Sequence, residues 1–201
     1  MTPISSLAVP ERRGHFLLES GLHTDVWLML DALFVDPART AAFAAALADK
    51  LRPHSVSVVC GPLLGGAFLA QAVAAALGAE FYYTELVSNA ADSGLYQAQY
   101  RLPRGLTVHA RGKHVAVVDD VISAGSSTRA TIAALTEAGA SVGAIGALLV
   151  LGDAATTYFA AQGLAVETLA QRGFDLWQPD DCPLCRQGIA LDDPQRPQTH
   201  P

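Results

Sequence analysis

The sequence predicts an α/β domain with an open parallel sheet of five strands and flanking helices. Segments typical of short buried strands alternate with segments typical of helices through the middle of the chain, and this order favours a parallel sheet joined by crossover helices. The chain has 201 residues, of which 51% are hydrophobic and 16% charged, so it can bury one sizeable core and is not expected to be disordered.

The first clear helix begins at Asp36 and Pro37. Aspartate is a favoured N-cap, and proline fits the first helical position because an N–H at that position would have no partner within the helix. Phe43, Leu47 and Leu51 then recur at a spacing of four residues, which places them on one face. We therefore expect an amphipathic helix in this segment.

The strands and the remaining helices follow in order along the chain. Strands are predicted at residues 55–60, 79–84, 114–119, 141–151 and 164–169. Further helices are predicted at residues 67–77, 126–138 and 154–162. Gly78 and Gly139 come directly after the first two of these helices, where glycine is a typical stop signal.

Three segments fall outside this alternation. The N-terminal lobe of about residues 1–35, which we call the hood, comes before it. Residues 87–112 have few long apolar runs and many turn-forming residues, which is typical of a mobile hairpin or lid. We expect one domain over residues 1–174, followed at 175–201 by a small appendage with a Cys pair and a disordered tail.

Composition excludes several function classes. Thirteen basic and nineteen acidic residues give a net charge of −6, which argues against a nucleic-acid-binding protein. The longest apolar stretches are too short to span a membrane, and the N-terminus lacks the charge order of a secretory signal. Three cysteines do not make a disulfide framework. We therefore expect a cytoplasmic protein without nucleic-acid or membrane partners.

The most informative motif follows the strand that begins at His114. Asp119 and Asp120 come at the end of this strand, where open α/β sheets bind ligands, and two adjacent carboxylates can accept hydrogen bonds from the hydroxyls of a ribose. A loop of small residues then leads into a helix N-terminus, whose free N–H groups favour phosphate. The loop residues are Ser123, Ala124, Gly125, Ser126 and Ser127. A diol binder and a phosphate binder within nine residues predict a ribose 5-phosphate ligand.

This string resembles the phosphoribosyl pyrophosphate (PRPP) signature of the type I phosphoribosyltransferases. The resemblance implies a PRPP-dependent transferase with Asp119 and Asp120 as catalytic residues, the Ser123–Ser127 loop on the 5-phosphate, and Mg²⁺ bound with PRPP. It also implies a hood that binds the base, a closing loop and a homodimer. The loop after the first predicted strand matches the position of the family's pyrophosphate loop and contains Gly61, Pro62, Leu63, Leu64 and Gly65.

Within this family the best local match is to the orotate enzymes, because residues 14–23 resemble the entry strand of their hood. The resemblance favours orotate, and hence pyrimidine nucleotide biosynthesis. It implies base-binding roles for Ser20, Gly21 and His23, and lid roles for Tyr96, Tyr100 and Arg101.

Several cations of the orotate enzymes are missing from this chain. The family's pyrophosphate loop usually carries a lysine near position 65, where this chain has glycine, and residues 85–103 contain Arg101 but no lysine. Gly152 and Asp153 stand where an arginine for the orotate carboxylate would follow the fourth strand. These losses keep two alternatives open: a purine-type phosphoribosyltransferase and a non-catalytic PRPP-sensing regulator.

Cys182 and Cys185 have the two-ligand spacing of a zinc knuckle. One such pair supplies half of a tetrahedral site, and the sequence shows no second pair. A reduced surface turn is therefore favoured over structural zinc.

Overall fold

The computed structural model describes residues 9–87 and 95–194. A six-stranded sheet forms its centre, with the strand order β5-β4-β3-β6-β7-β8. Five of these strands are parallel, which confirms the predicted sheet, and the short β5 adds an antiparallel edge. The six strands are β3 (Val58–Pro62), β4 (Glu80–Val87), β5 (Gln99–Arg101), β6 (His114–Ile122), β7 (Ser141–Leu151) and β8 (Ala165–Arg172).

Helices cover both faces of the sheet. They are α1 (Pro37–Leu51), α2 (Gly65–Leu77), α3 (Arg104–Ala110), α4 (Ser126–Glu137), α5 (Ala154–Ala160) and the short α6 (Pro183–Arg186). Alternate residues of β6 point to opposite faces: Ala116 and Val118 pack with α1 and α2, whereas Val115 and Val117 pack with α3 and α4. β6 is therefore buried on both faces, and its carboxyl end opens between the two helical layers.

Helix α1 begins as the sequence predicts. The Asp36 carboxylate accepts hydrogen bonds from the backbone N–H groups of Ala38 at 2.9 Å and Arg39 at 3.3 Å, which caps the helix. Leu47 and Leu51 are fully buried on the face that packs against the sheet. Among the helices of the described ranges, no segment is long and apolar enough to cross a membrane.

The hood contains an antiparallel hairpin of two strands, β1 (Glu11–Leu17) and β2 (His23–Leu28). The segment after β8 packs on this hairpin. Asp192 pairs with Phe16 and Trp177 pairs with His23, each through backbone hydrogen bonds of 2.8–2.9 Å. The predicted appendage and tail at 175–201 thus contact the hood at Trp177 and Asp192, and their last residues, 195–201, lie outside the described part of the chain.

The predicted lid at residues 87–112 contains a strand and a helix in its C-terminal part. Strand β5 pairs with β4 in antiparallel orientation, and residues 104–110 form helix α3, which the sequence did not predict. Ala110 is fully buried there beside Leu102, because this short helix covers one edge of the sheet. Residues 88–94 lie outside the described part of the chain.

Candidate functional site

A cleft of about 240 Å³ opens at the carboxyl ends of β3 and β6. This is the edge at which ligands bind in open α/β sheets. The strand ends, the N-termini of α2 and α4, the hood and strand β5 together form its walls. All of the residues predicted for the ribose and the 5-phosphate line it, namely Asp119, Asp120, Ser123, Ala124, Gly125, Ser126 and Ser127.

Asp119 and Asp120 are held by hydrogen bonds to neighbouring groups. Ser127 Oγ donates to Asp119 Oδ2 at 2.7 Å, and the Asp120 N–H donates to Asp119 Oδ1 at 3.0 Å. The Val121 N–H donates to Asp120 Oδ1 at 2.8 Å. Both carboxylates are buried, yet both border the cleft. Their positions are therefore set before a ligand enters.

Burial raises the pKa of both carboxyl groups. For Asp119, the adjacent carboxylate of Asp120 raises the pKa further, whereas the Ser127 hydroxyl acts in the opposite direction. For Asp120, burial is again the main cause, and the Val121 N–H opposes it. Two buried carboxylates without a cation between them favour a ligand that donates hydrogen bonds or brings positive charge.

The small-residue loop leads directly into helix α4. Gly125 caps the helix in the left-handed conformation at φ +76°, and a Cβ added to it would lie 3.1 Å from the Phe159 ring. The Ser126 hydroxyl is close enough to Glu19 to lower the pKa of that carboxyl, yet it makes no hydrogen bond of normal geometry with the described residues. A buried hydroxyl in that situation is available to a ligand such as a phosphate.

The predicted pyrophosphate loop forms the wall opposite α4. Pro62, Leu63, Leu64 and Gly65 line the cleft, whereas Gly61 lies inside β3. A Cβ added to Gly65 would come within 2.1 Å of Asp120 Oδ2. Any side chain at position 65, including the lysine usual in the family, would therefore require Asp120 to move.

The hood and β5 meet over the outer part of the cleft. The Tyr100 hydroxyl donates to Glu19 Oε2 at 2.9 Å, and the Tyr96 N–H donates to the Ser20 carbonyl oxygen at 2.8 Å. Glu19, Ser20, Tyr100 and Trp27 all line the cleft. Burial raises the pKa of Glu19, although the Tyr100 hydrogen bond lowers it.

Four of the residues predicted on the hood and lid do not line the cleft. The Tyr96 ring packs against the Arg129 guanidinium instead. Gly21 occupies the turn between β1 and β2, and the His23 ring faces His15 and Cys185 instead of the cleft. Arg101 is 69% exposed and pairs with Glu85 at 3.4 Å. The wall of the cleft, as far as the described residues form it, contains three carboxylates and no cation.

Arg129 lies on the first turn of α4, two residues after the phosphate loop. Its guanidinium lies between two aromatic rings, 4.2 Å from the centre of Tyr96 and 3.5 Å from that of Tyr158. Such cation–π contacts hold the arginine in place beside the loop. The sandwich also connects the lid residue Tyr96 to α4.

A model of the phosphoribosyl transferase domain matches residues 30–174, which is most of the chain. The chain belongs to the phosphoribosyltransferase family. Among its curated relatives are two enzymes named orotate phosphoribosyltransferase. The one from Caldanaerobacter subterraneus subsp. tengcongensis is 30% identical over 89% of this chain and 87% of its own length. The one from Thermotoga maritima is 33% identical over 90% of this chain and 89% of its own.

Solved phosphoribosyltransferase structures share the fold. Orotate phosphoribosyltransferase from Aeropyrum pernix superposes with a TM-score of 0.59 at 25% identity, covering 80% of this chain and 87% of that one. Adenine phosphoribosyltransferase from Rhodothermus marinus gives a TM-score of 0.65 at 20% identity, covering 85% and 99%. The core fold is thus shared by proteins named for different bases.

Sequence reasoning missed three residues of the site. Glu19 is next to the predicted Ser20, and Arg129 comes two residues after the Ser123–Ser127 loop, so both lie within or beside motifs that the sequence predicts. Their roles depend on partners far along the chain, Tyr100 and Tyr158, which no local pattern indicates. Trp27, on β2, also lines the cleft.

Proposed function

We propose that this chain transfers a 5-phosphoribosyl group from PRPP to a ring nitrogen of orotate and releases pyrophosphate. The observation that carries the proposal is the placement of Asp119, Asp120 and the Ser123–Ser127 loop on one cleft at the end of β6. Orotate is the proposed acceptor because the curated relatives over most of the chain are named orotate phosphoribosyltransferases.

Each wall has a separate task in this proposal. Asp119 and Asp120 accept hydrogen bonds from the ribose hydroxyls, which removes part of the free-energy cost of burying the two charges. The N–H groups and hydroxyls of the loop at α4 bind the 5-phosphate at the positive end of a helix dipole. The backbone of residues 61–65 faces the pyrophosphate.

The reaction proposed is a displacement at the anomeric carbon, in which the bond to pyrophosphate breaks as the bond to the base nitrogen forms. The protein positions the two reactants and shields them from water, and it supplies no covalent intermediate. Because the cleft wall is rich in carboxylates, the charge of the leaving pyrophosphate needs a cation from another source.

We propose Mg²⁺ as that cation, entering together with PRPP. The donor set fits a hard cation, since two buried carboxylates lie at the cleft and oxygen is the ligand that Mg²⁺ prefers. Bound largely by PRPP oxygens, the ion would neutralise negative charge on the pyrophosphate. Asp119 and Asp120 would hold the ribose in position through hydrogen bonds to its hydroxyl groups.

One observation favours a second candidate acceptor. The hood wall offers the Glu19 carboxylate and the Tyr100 hydroxyl, and within the described ranges it offers no cation for the carboxylate of orotate. A buried anion without a partner costs several kcal/mol, about 3–5 kcal/mol when a buried pair is broken. A purine-type base, which carries N–H donors and no carboxylate, would suit Glu19 better.

Pyrophosphate release with PRPP and Mg²⁺ tests the proposal against a panel of bases. The panel contains orotate, uracil, adenine, hypoxanthine, guanine and xanthine. Turnover with orotate alone supports the proposal, and turnover with a purine alone supports the second candidate. No turnover with any base, while PRPP still binds, would contradict both candidates and leave a PRPP-binding regulator.

We also propose that the chain forms a homodimer. Val35, Leu64 and Phe68 are exposed apolar side chains at the start of α1 and α2, with exposed fractions of 81%, 68% and 54%. Exposed apolar side chains in one region are typical of an interface. Light scattering at micromolar concentration checks the mass, and a monomer would contradict this proposal.

A further inference from the structure

We propose that His15, His23, Cys182 and Cys185 form a tetrahedral zinc site that joins the hood to the C-terminal segment. One potential ligand atom from each residue lies within 4.8 Å of all the others. His15 comes from β1 and His23 from β2, whereas the two cysteines flank the start of α6. The cluster is separate from the cleft and from the Asp pair.

The distances between the donor atoms are those of a tetrahedral zinc site. Zinc binds sulfur at about 2.3 Å and imidazole nitrogen at about 2.0–2.1 Å, so tetrahedral angles place two nitrogens about 3.3 Å apart and a nitrogen and a sulfur about 3.5 Å apart. His15 Nε2 and His23 Nδ1 are 3.1 Å apart. Three of the four nitrogen–sulfur pairs are 3.4, 3.7 and 3.4 Å apart, and the fourth pair lies within 4.8 Å.

The orientation of His15 also fits a metal ligand. Its Nδ1 lies 2.8 Å from the carbonyl oxygen of Ile189, and only a protonated Nδ1 can donate a hydrogen bond to that oxygen. The Nε2 lone pair is then free to face the other three donors. A backbone carbonyl that accepts a hydrogen bond from the other ring nitrogen, and so fixes the tautomer, is typical of zinc-bound histidine.

Burial distinguishes this cluster from a surface turn. His15, His23 and Cys182 are at most 4% exposed, Cys185 is exposed at the edge of the cluster, and all three cysteines of the chain are free thiols. Two nitrogens and two sulfurs form the donor set that favours zinc among common divalent metals. On binding, the two thiols would become thiolates and release two protons to solvent.

The site has a consequence for the cleft. His15 and His23 bracket the turn at residues 18–22, which carries the cleft residues Glu19 and Ser20. The metal would therefore fix both ends of that turn and attach it to the segment 177–192. This explains why the C-terminal segment is packed on the hood, where the sequence suggested a loose appendage.

Metal analysis of the purified chain tests the proposal. After dialysis against a weak chelator, we expect about one zinc per chain by mass spectrometry, and less than about one fifth of that in Cys182→Ser and Cys185→Ser. Two matched controls should keep the full zinc content: Cys60→Ala, the buried third cysteine on β3, and His54→Ala, which removes a histidine paired with Glu167.

Two measurements on the wild-type chain keep the test independent of variant folding. Replacement by Co²⁺ should give the intense visible absorption of a tetrahedral cobalt site with sulfur ligands. Excess strong chelator should lower Tm by roughly 10 °C, because a bound structural zinc stabilises the folded state. A chain that neither retains zinc after reconstitution nor develops the cobalt spectrum would overturn the proposal, as would full zinc content in both cysteine variants.

Discussion

The two sides of the cleft are assembled in opposite ways. The side proposed to bind the 5-phosphate, residues 119–127, is called the phosphate side here and comes from consecutive residues. Its hydrogen bond from Ser127 to Asp119 spans only eight positions. The hood side depends on distant segments: Cys182 and His15 approach each other across 167 positions, and Tyr100 reaches Glu19 across 81. A strand, a turn and a helix N-terminus thus form the proposed phosphate site, whereas the proposed base site depends on contacts between distant segments.

Their electrostatics differ as well. The phosphate side offers the N-terminus of α4 and several hydroxyl groups, which favour an anion. The hood side offers a carboxylate of raised pKa and, among the described residues, no cation. We therefore assign PRPP affinity to the phosphate side and acceptor choice to the hood side. Substitutions on the two sides should have different kinetic effects.

The largest effect is expected at the phosphate side. Asp120→Asn removes one of the two charges that hold the ribose, so kcat/KM should fall by about 100-fold or more, with a raised KM for PRPP. Steady-state pyrophosphate release measures this. Wild-type kinetics in the variant would rule out the assignment of Asp120.

A second substitution tests the same side without removing a charge. Gly65→Ala places a Cβ where Asp120 Oδ2 now lies, so the carboxylate must move and PRPP affinity should fall about tenfold. Gly105→Ala is the control, because a Cβ there meets no atom within 4 Å. Equal PRPP affinity in the two variants would show that the close approach of Gly65 to Asp120 is not needed for PRPP binding.

The hood side should respond in its acceptor kinetics. Because burial raises the pKa of Glu19, this group gains its negative charge at a higher pH than an ordinary glutamate, and the charged form repels an anionic acceptor. Glu19→Gln should lower the KM for orotate about threefold at pH 8 and leave the KM for PRPP unchanged. An increase in the KM for orotate would contradict electrostatic repulsion between Glu19 and orotate.

The smallest effect is on stability. The pKa of Asp119 is raised in the folded state. Protonation of this group therefore contributes fully to the free energy of unfolding below about pH 4, and the contribution is lost as the pH rises through the raised pKa. Without ligand, Asp119→Asn should therefore be more stable than the wild type by about 1 kcal/mol at pH 8. Urea denaturation at pH 5 and pH 8 measures the difference, which should shrink at the lower pH; a less stable variant at pH 8 would contradict the sign.

The sequence predicted what depends on neighbouring residues. The cap at Asp36 and the loop to Ser127 are local patterns that lie where they were expected. The strand that begins at His114 is also present, but it continues to Ile122, three residues beyond its predicted end at Asp119. Helix α3 was missed because seven residues with one turn of apolar contacts give a weak periodic signal. The pairing of Cys182 and Cys185 with two hood histidines was missed because no local rule connects β1 to α6.

The proposal that the cleft at Asp119 and Asp120 binds PRPP can be tested by calorimetric titration with PRPP and Mg²⁺. We expect saturable binding of one PRPP per chain in the wild type, and an affinity for PRPP that is at least about tenfold lower in Asp120→Asn. No saturable binding in the wild type, or equal affinity in the variant, would contradict it.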